Sequence, residues 1–534
     1  MEWYKKYKST IFKIIILVLI LLDLVWSVGN EKNFFYWDKS YNPNSAMFYW
    51  VMKAIYTVFL CIIGVIVYKF LNNPVKYVPA IKEWFRYAWP ILIVYGILII
   101  MLWPGNWGAV ADEVQVYLSV KNLRVWPDQG ILSSVYMILC LMIYPKVWMI
   151  TLVQGVLSIV FIGDVIRKVV LELKCGRIQK WLFILLFVSP PALCFLLCPI
   201  RIWLYSVLLI AMIEYLFFLQ KISDNREKQV YLIKIITVLC ALVSNYRSEG
   251  ILFIPVCMLV TLFCTKKITC KVRIAVIQLA VICIITLGLK GLTLLGNGKT
   301  LRQHSGITFI TTLSMILSDD AEYALIDEED INNIDAVFDV QVLRDHPSMS
   351  AAFDGTRAER SFDEPTEEEM SAYMSSAIKL TLQNIPTFLA CKWEAAKWSL
   401  GVYPYYRTVG TIWTQDILDQ WNKYTDLPGN MSDDFRPYAN DIVRERISEL
   451  IVSYNVYNID SFYIFYAFWV PCLLLPVTTL IYFIKRNWRE AFVCLAICVQ
   501  LMMVIIMAPG RYQMYYLPFY FLGWFEVFRL KRCS

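Results

Sequence analysis

Twelve apolar stretches, each near the length that crosses a bilayer, punctuate this chain at about 10–27, 47–71, 89–103, 147–166, 181–197, 201–220, 230–246, 250–265, 274–294, 461–484, 490–508 and 513–528. A helix rises about 1.5 Å per residue and the hydrocarbon core is about 30 Å thick, so a span takes roughly 20 residues and the shorter stretches need support from neighbours. The expected fold is therefore an all-α polytopic membrane protein of about 12 transmembrane helices. Composition agrees, because a soluble core cannot hide a chain that is 58% hydrophobic and only 17% charged. The N-terminal MEWYKKYKST and the apolar run after it resemble a signal peptide, but the run to Ser27 lacks a small-x-small cleavage site and reads as a retained first span.

Orientation follows from the basic residues. The stretch from Ile131 to Tyr144 is apolar, yet counting it as a span would put Arg167, Lys168, Lys174, Arg177 and Lys180 outside, against the positive-inside rule. Taken as a helix lying at, or dipping into, the outer surface, it lets every strongly basic short loop, and the tail RLKRCS, fall inside with both termini cytoplasmic. The expected divisions are an N-terminal transmembrane pair with a cytoplasmic linker (1–87), a transmembrane module (88–294) carrying an exterior loop (104–130) and the surface helix (131–144), an exterior region (295–460) between spans nine and ten, and C-terminal helices with a basic cytoplasmic tail (461–534).

The formal charge of +7 does not signal nucleic acid, since the basic residues cluster beside apolar runs. Cysteines sit mostly inside apolar runs without a C-x-x-C pair, which reads as core thiols. With only His304 and His346, histidine metal sites and Ser-His or Cys-His catalysis are disfavoured, so acid–base chemistry falls to carboxylates. About two-thirds of the 43 acidic residues lie in the exterior region, where no calcium-loop spacing appears and a solvated face accounts for them. Within it, SAIKLTLQNIPTFLACKWEAAKWSLGVYPYY spaces Ile378, Leu382, Leu389, Trp393 and Leu400 as one apolar helix face, kinked at Pro386 and suited to a membrane interface.

Charged groups near apolar segments are costly, so their positions are informative. Asp112 and Glu113 follow WPGNWGAVA; Arg201 sits in CPIRIW, Arg247 and Glu249 in NYRSEG, Arg511 and Tyr512 in APGRYQ, all at the expected outer mouth. Arginine is disfavoured outside, yet three short exterior turns each carry one, and guanidinium forks match phosphate oxygens. Any one of them could instead snorkel or pair locally. Lys53, Asp23 and Lys290 lie near span ends, where snorkelling explains them, whereas Glu214 sits deeper in its helix with no assigned role.

The span, the exterior loop opening at ADEVQ, the helix after it and the span ending in DVIRK resemble the GT-C class of membrane glycosyltransferases. Asp112-Glu113 is similar to the acidic pair of that class's protein O-mannosyltransferases, and GRYQMYYLPFY resembles the Arg-Tyr…Pro run that often opens a last span there. The long exterior segment also resembles a group of Gram-positive bacterial multi-pass proteins of the class. The resemblance covers most of the chain from about Ala88, with the first two spans as an added pair; the His-Pro-Pro run common after the first exterior loop is replaced by VWPDQGILSS.

That resemblance implies a plasma-membrane enzyme that takes a sugar from a polyprenyl-phosphate donor and passes it, with inversion, to a glycan, lipid or protein acceptor at the non-cytoplasmic face. It implies Asp112 as general base, with Glu113 assisting it or orienting an arginine, and Arg201, Arg247 and Arg511 holding phosphate. Glu249 would steer Arg247, Tyr512 would contribute a hydroxyl, and Gln115 would join the substrate contacts. Some relatives use a divalent cation, so magnesium or manganese stays open; membrane lipid is an expected partner and nucleic acid is not. A multi-spanning transporter or flippase of a lipid-linked or anionic substrate, a polysaccharide polymerase or ligase, and a noncatalytic scaffold are the alternatives, although neither halves with internal symmetry nor a mid-membrane charge pair marks the chain as a transporter.

Overall fold

The computed structural model describes residues 2–37, 39–40, 42–105, 107, 112–126, 130–199, 201–222, 226–264, 270–298, 306–318, 326–345, 365–403, 442–444, 446–447, 463–508 and 512–533, with no side-chain description for 1–8, 76, 112, 264 and 531–534. Described residues form helices only, in the order α1 Glu2–Phe34, α2 Ser45–Asn72, α3 Pro74–Met101, α4 Asp112–Lys121, α5 Ile131–Ile143, α6 Val147–Glu172, α7 Arg177–Phe187, α8 Pro190–Leu196, α9 Arg201–Lys221, α10 Arg226–Tyr246, α11 Phe253–Cys264 and α12 Lys271–Leu295. There follow α13 Ile307–Leu317, α14 Glu328–Asp335, α15 Val340–Asp345, α16 Glu367–Gln383, α17 Ile385–Ser399, α18 Trp469–Ile484, α19 Trp488–Met507 and α20 Leu517–Cys533. The chain separates into two units, one of 1–299 with 410–452 and one of 300–409 with 453–534. The expected exterior region is thus shared between them rather than standing alone.

Nine helices among the described residues are long and apolar enough to span, and ten if α7 and α8 form one span bent by 45°. This is a multi-pass membrane protein. Pro190 and Pro191 explain the bend, because proline lacks the N–H and the space to continue the preceding helix. The stretch at 250–265 forms a shorter apolar helix, and α20 has 17 residues. In the first unit α9 is apolar all round and 94% of its spanning window is buried, whereas only 6% of that of α1 is, which makes α9 the axis of the bundle and α1 a lipid-facing helix. Small residues let α3 and α6 approach: a Cβ on Gly163 would lie 2.7 Å from that of Ala88.

The helix at 131–143 corrects one expectation. It is too short to span, and it does not lie on the surface, since Leu132, Val135, Ile138, Leu141 and five further side chains are buried, with α4, α6 and α10 packed around it. The apolar run without a polar face, which the basic residues excluded as a span, is accommodated as a plug inside the bundle.

Lys53 corrects another. It is buried rather than snorkelling, and donates to Glu31 at 2.8 Å and to Ser27 Oγ at 2.5 Å. Tyr49 also donates to Glu31, at 2.5 Å, and Tyr56 to Asp23, at 2.8 Å. Asp23, Ser27 and Glu31 fall four residues apart, on one face of α1, and meet Tyr49, Lys53 and Tyr56 of α2. Lys290, by contrast, is exposed.

In the second unit α13 to α16 enclose a core of Ile310, Leu313, Ile334, Leu343, Tyr373 and Leu380. A capping box starts α16, with Thr366 Oγ accepting from the Glu369 N–H at 3.2 Å and the Glu369 carboxylate accepting from the Thr366 N–H at 2.7 Å. The expected kinked helix is α16 and α17, broken at Asn384 ahead of Pro386, and its apolar stripe of Ile378, Leu382, Leu389 and Trp393 faces outward.

Candidate functional site

The chain leaves α3 through Trp103 to Gly105, and four hydrogen bonds from three side chains hold that exit. Thr151 Oγ donates to the Pro104 carbonyl at 2.9 Å and the Trp107 indole does so at 3.3 Å. Arg444, only 1% exposed, donates to the carbonyls of Trp103 and Gly105 at 3.4 and 3.3 Å. Trp107 then packs edge-on against Tyr117 of α4. Trp103 to Gly105 and Trp107 are thereby tied down ahead of α4, whose first two residues are Asp112 and Glu113. Carboxylates suit a helix N-terminus, where unsatisfied N–H groups and the peptide dipoles favour negative charge.

Glu113 points inward and is buried, with the Cys198 thiol donating to it at 3.6 Å. The Gln154 carboxamide fixes the Cys198 segment by donating to the carbonyls of Leu196 and Cys198, both at 2.8 Å. Three residues after Cys198, Arg201 opens α9, and Tyr205 follows one turn later on the same face. The Arg247 guanidinium lies 5.7 Å from the centre of the Tyr205 ring and makes a two-pronged ion pair with Glu249, its Nε donating at 3.1 Å. Burial alone would raise the Glu249 carboxyl, but the charge and hydrogen bonds of Arg247, with the charge of Arg201, hold it down at about 2. Glu249 is thus a carboxylate at any physiological pH.

Gly130, just ahead of α5, comes to the same place. Gly130 has φ of +76° and a Cβ there would lie 2.7 Å from the Tyr246 carbonyl, so only glycine lets the loop close onto the residue before Arg247. Four chain segments, around 103–113, 130, 198–205 and 246–249, therefore meet at one end of the first unit. The cluster combines the charged carboxylate of Glu249 and the buried carboxyl group of Glu113 with two guanidinium groups and a tyrosine, a set suited to an anionic ligand with a proton to remove.

Of the residues expected from sequence, the structure brings together Glu113, Arg201, Arg247 and Glu249. The Asp112 backbone starts α4, while its side chain lies outside the described residues, as does Arg511. Gln115 is on the exposed side of α4. Tyr512 belongs to the second unit, where its ring stacks edge-on with Tyr515. The steering of Arg247 by Glu249 has its geometry, and the same ion pair engages the guanidinium that was expected to meet phosphate.

Sequence reasoning missed Arg444, Cys198 and Tyr205, because nothing local marks a residue whose role depends on a distant contact, 85 positions away for Cys198 and 341 for Arg444. It also missed Lys392 in the second unit. This side chain is 3% exposed on the inner face of α17 and donates to the carbonyls of Thr308 and Ala508, both at 3.3 Å. Desolvation pulls its ammonium down to about 8. Ala508 opens the APGRYQ segment in sequence, so Lys392 holds the residue at which α19 ends and that segment starts.

Among the described residues no three His, Cys, Asp or Glu side chains come together to hold a metal ion. No disulfide links the described cysteines. Compared with protein-family models, with curated proteins and with solved structures, the chain matches none.

Proposed function

We propose that the protein is a membrane glycosyltransferase of GT-C type that moves a sugar from a polyprenyl-phosphate donor to a hydroxyl or amide acceptor at the non-cytoplasmic face. The observation that supports this reading best is the convergence of Glu113, Arg201, Arg247 and Glu249 at one end of the first unit, from segments separated in sequence. A glycosyl phosphate carries its own stable leaving group, so the step asks for one base and for cations at the phosphate.

Asp112 takes the acceptor proton as the acceptor oxygen or nitrogen bonds to the anomeric carbon from the face opposite the phosphate. The bond from that carbon to the phosphate oxygen breaks in the same step, and its electron pair leaves with the phosphate. Arg201, Arg247 and Arg511 balance the charge that develops there, and Tyr512 donates a hydroxyl hydrogen bond. Buried Glu113 keeps the start of α4 in register with Cys198, and Glu249 presents Arg247. In this reading the protein is a plasma-membrane enzyme with twelve spans, both termini in the cytoplasm, and the cluster facing outward.

The test is transfer from radiolabelled polyprenyl-phosphate sugars by the purified full chain and by Asp112→Asn. The expected result is turnover by the parent and a loss of about 10²- to 10⁴-fold in the variant, with donor binding retained. Full activity of the variant removes Asp112 as the base. Failure with every lipid donor, alongside ion-coupled flux in proteoliposomes, replaces the enzyme with a transporter.

A further inference from the structure

Two basic cavities open in the first unit, one between α6, α9 and α10 and the other where α3 passes the end of α6 and the start of α7, and they differ in how their charge is answered. The larger, about 730 Å³, is lined by Asp164, Arg167, Lys168, Tyr215, Lys221 and Lys228 among others. Arg167 pairs with Asp164 at 2.6 Å and with Glu83 at 3.1 Å, Lys168 pairs with Asp164, and Lys221 pairs with Glu172. Tyr215 also donates to Asp164. These cations are spoken for by carboxylates, and the network locks α6, α3 and α9 together.

The smaller cavity, about 650 Å³, is lined by Arg86, Arg177 and Lys180 with the aromatic groups of Tyr87, Trp89 and Trp181. No carboxylate is among its lining residues, and no acidic partner of those three cations is found among the described residues. They are nonetheless close enough for the charges of Arg86 and Arg177 to act on Lys180. The Lys180 ammonium is held in place, donating to the Arg86 carbonyl at 3.2 Å and lying 4.8 Å from the centre of the Tyr87 ring. Like charges gathered this way repel one another unless an anion enters.

The surroundings identify the anion's source. Trp89 and Trp181 stack edge-on at the rim, where tryptophan marks the headgroup level of a bilayer. Beside them α3 and α7 present Phe85, Leu182 and Leu185 outward, an exposed apolar surface along which acyl chains can lie. A soluble anion would gain nothing from those side chains. The start of α7 adds backbone N–H groups of the favourable sign.

We infer that the cavity of Arg86, Arg177 and Lys180 is a binding site for the phosphate headgroup of one anionic glycerophospholipid, whose chains run down the outer faces of α3 and α7. It lies at the end of the bundle that the positive-inside rule assigns to the cytoplasm, and it stands independently of the glycosyltransferase reading. A basic pocket of this kind takes a net-negative lipid over a zwitterionic one.

The test is native mass spectrometry of the purified full chain in mixed micelles holding phosphatidylglycerol or phosphatidylcholine. The parent is expected to retain one phosphatidylglycerol with at least about tenfold preference over phosphatidylcholine. Combining Arg86→Gln, Arg177→Gln and Lys180→Gln should remove that preference, while Lys221→Gln with Lys228→Gln, in the larger cavity, should keep it. If the triple variant does not fold, Arg86→Gln and Arg177→Gln alone, at exposed side chains, should each weaken phosphatidylglycerol binding several-fold. Equal retention of the two lipids by the parent, an unchanged preference in the triple or in both single variants, loss in the control variant alone, or complete displacement of lipid by millimolar inorganic phosphate would overturn the proposal.

Discussion

The seam between α1 and α2 and the cluster where α9 begins and α10 ends are both made of charged and tyrosine side chains, yet they are built differently. In the seam Lys53, Glu31, Ser27 and Tyr49 satisfy one another across two consecutive helices, with partners fewer than 30 positions apart. In the cluster Glu113 meets Cys198, 85 positions on, and the charge of Arg201 reaches Glu249. Charge closed between adjacent helices stabilises their packing. Charge assembled from distant segments needs the whole bundle to form it, and such an arrangement is where a ligand finds a preorganised set of groups.

This difference can be broken from either side. The largest effect on stability is expected from Lys53→Met, which leaves Glu31 buried without its cation and should cost about 3–5 kcal/mol in detergent unfolding. Adding Glu31→Gln should restore much of that loss, since the remaining groups are neutral. An equal loss in single and double variants would show that the seam is held by packing rather than by charge.

A smaller effect is expected at the cluster, read through pH. The Glu249 carboxyl lies at about 2 in the folded protein and at an ordinary 4.5 when unfolded. Its contribution is therefore complete above pH 4.5 and lost as pH falls toward 2. About 3 kcal/mol of stability is at stake over that range. Glu249→Gln should remove this part of the acid sensitivity, and a variant with the parent's profile between those limits would take Arg247 out of its ion pair. The smallest effect belongs to the seam again: Tyr56→Phe deletes the hydroxyl that donates to Asp23 at 2.8 Å and should cost about 1 kcal/mol.

Hydropathy made the spanning helices legible, because lipid demands long apolar runs whatever the tertiary arrangement. It also made legible the break at Pro386, since proline acts through its own ring and missing N–H. The same signal could not tell that α5 is enclosed, since an apolar run of 13 residues suits an interface and an interior equally. Nor could it tell that Lys53 is buried, because snorkelling and pairing begin from the same sequence position and differ only in what the next helix presents.

The residues of the cluster divide in the same way. Arg201, Arg247, Glu249 and Glu113 were visible as charges at span ends, which the cost of charge in lipid makes conspicuous. Arg444 and Cys198 were not, since an arginine in an acidic segment and a cysteine in an apolar one carry no local signal. By itself the sequence determined that the chain crosses a membrane many times and where its charges must gather at the boundaries, because solvent alone enforces both. Only the tertiary structure decided which of those charges are answered by a neighbour and which converge, because that depends on contacts between helices that no stretch of chain contains.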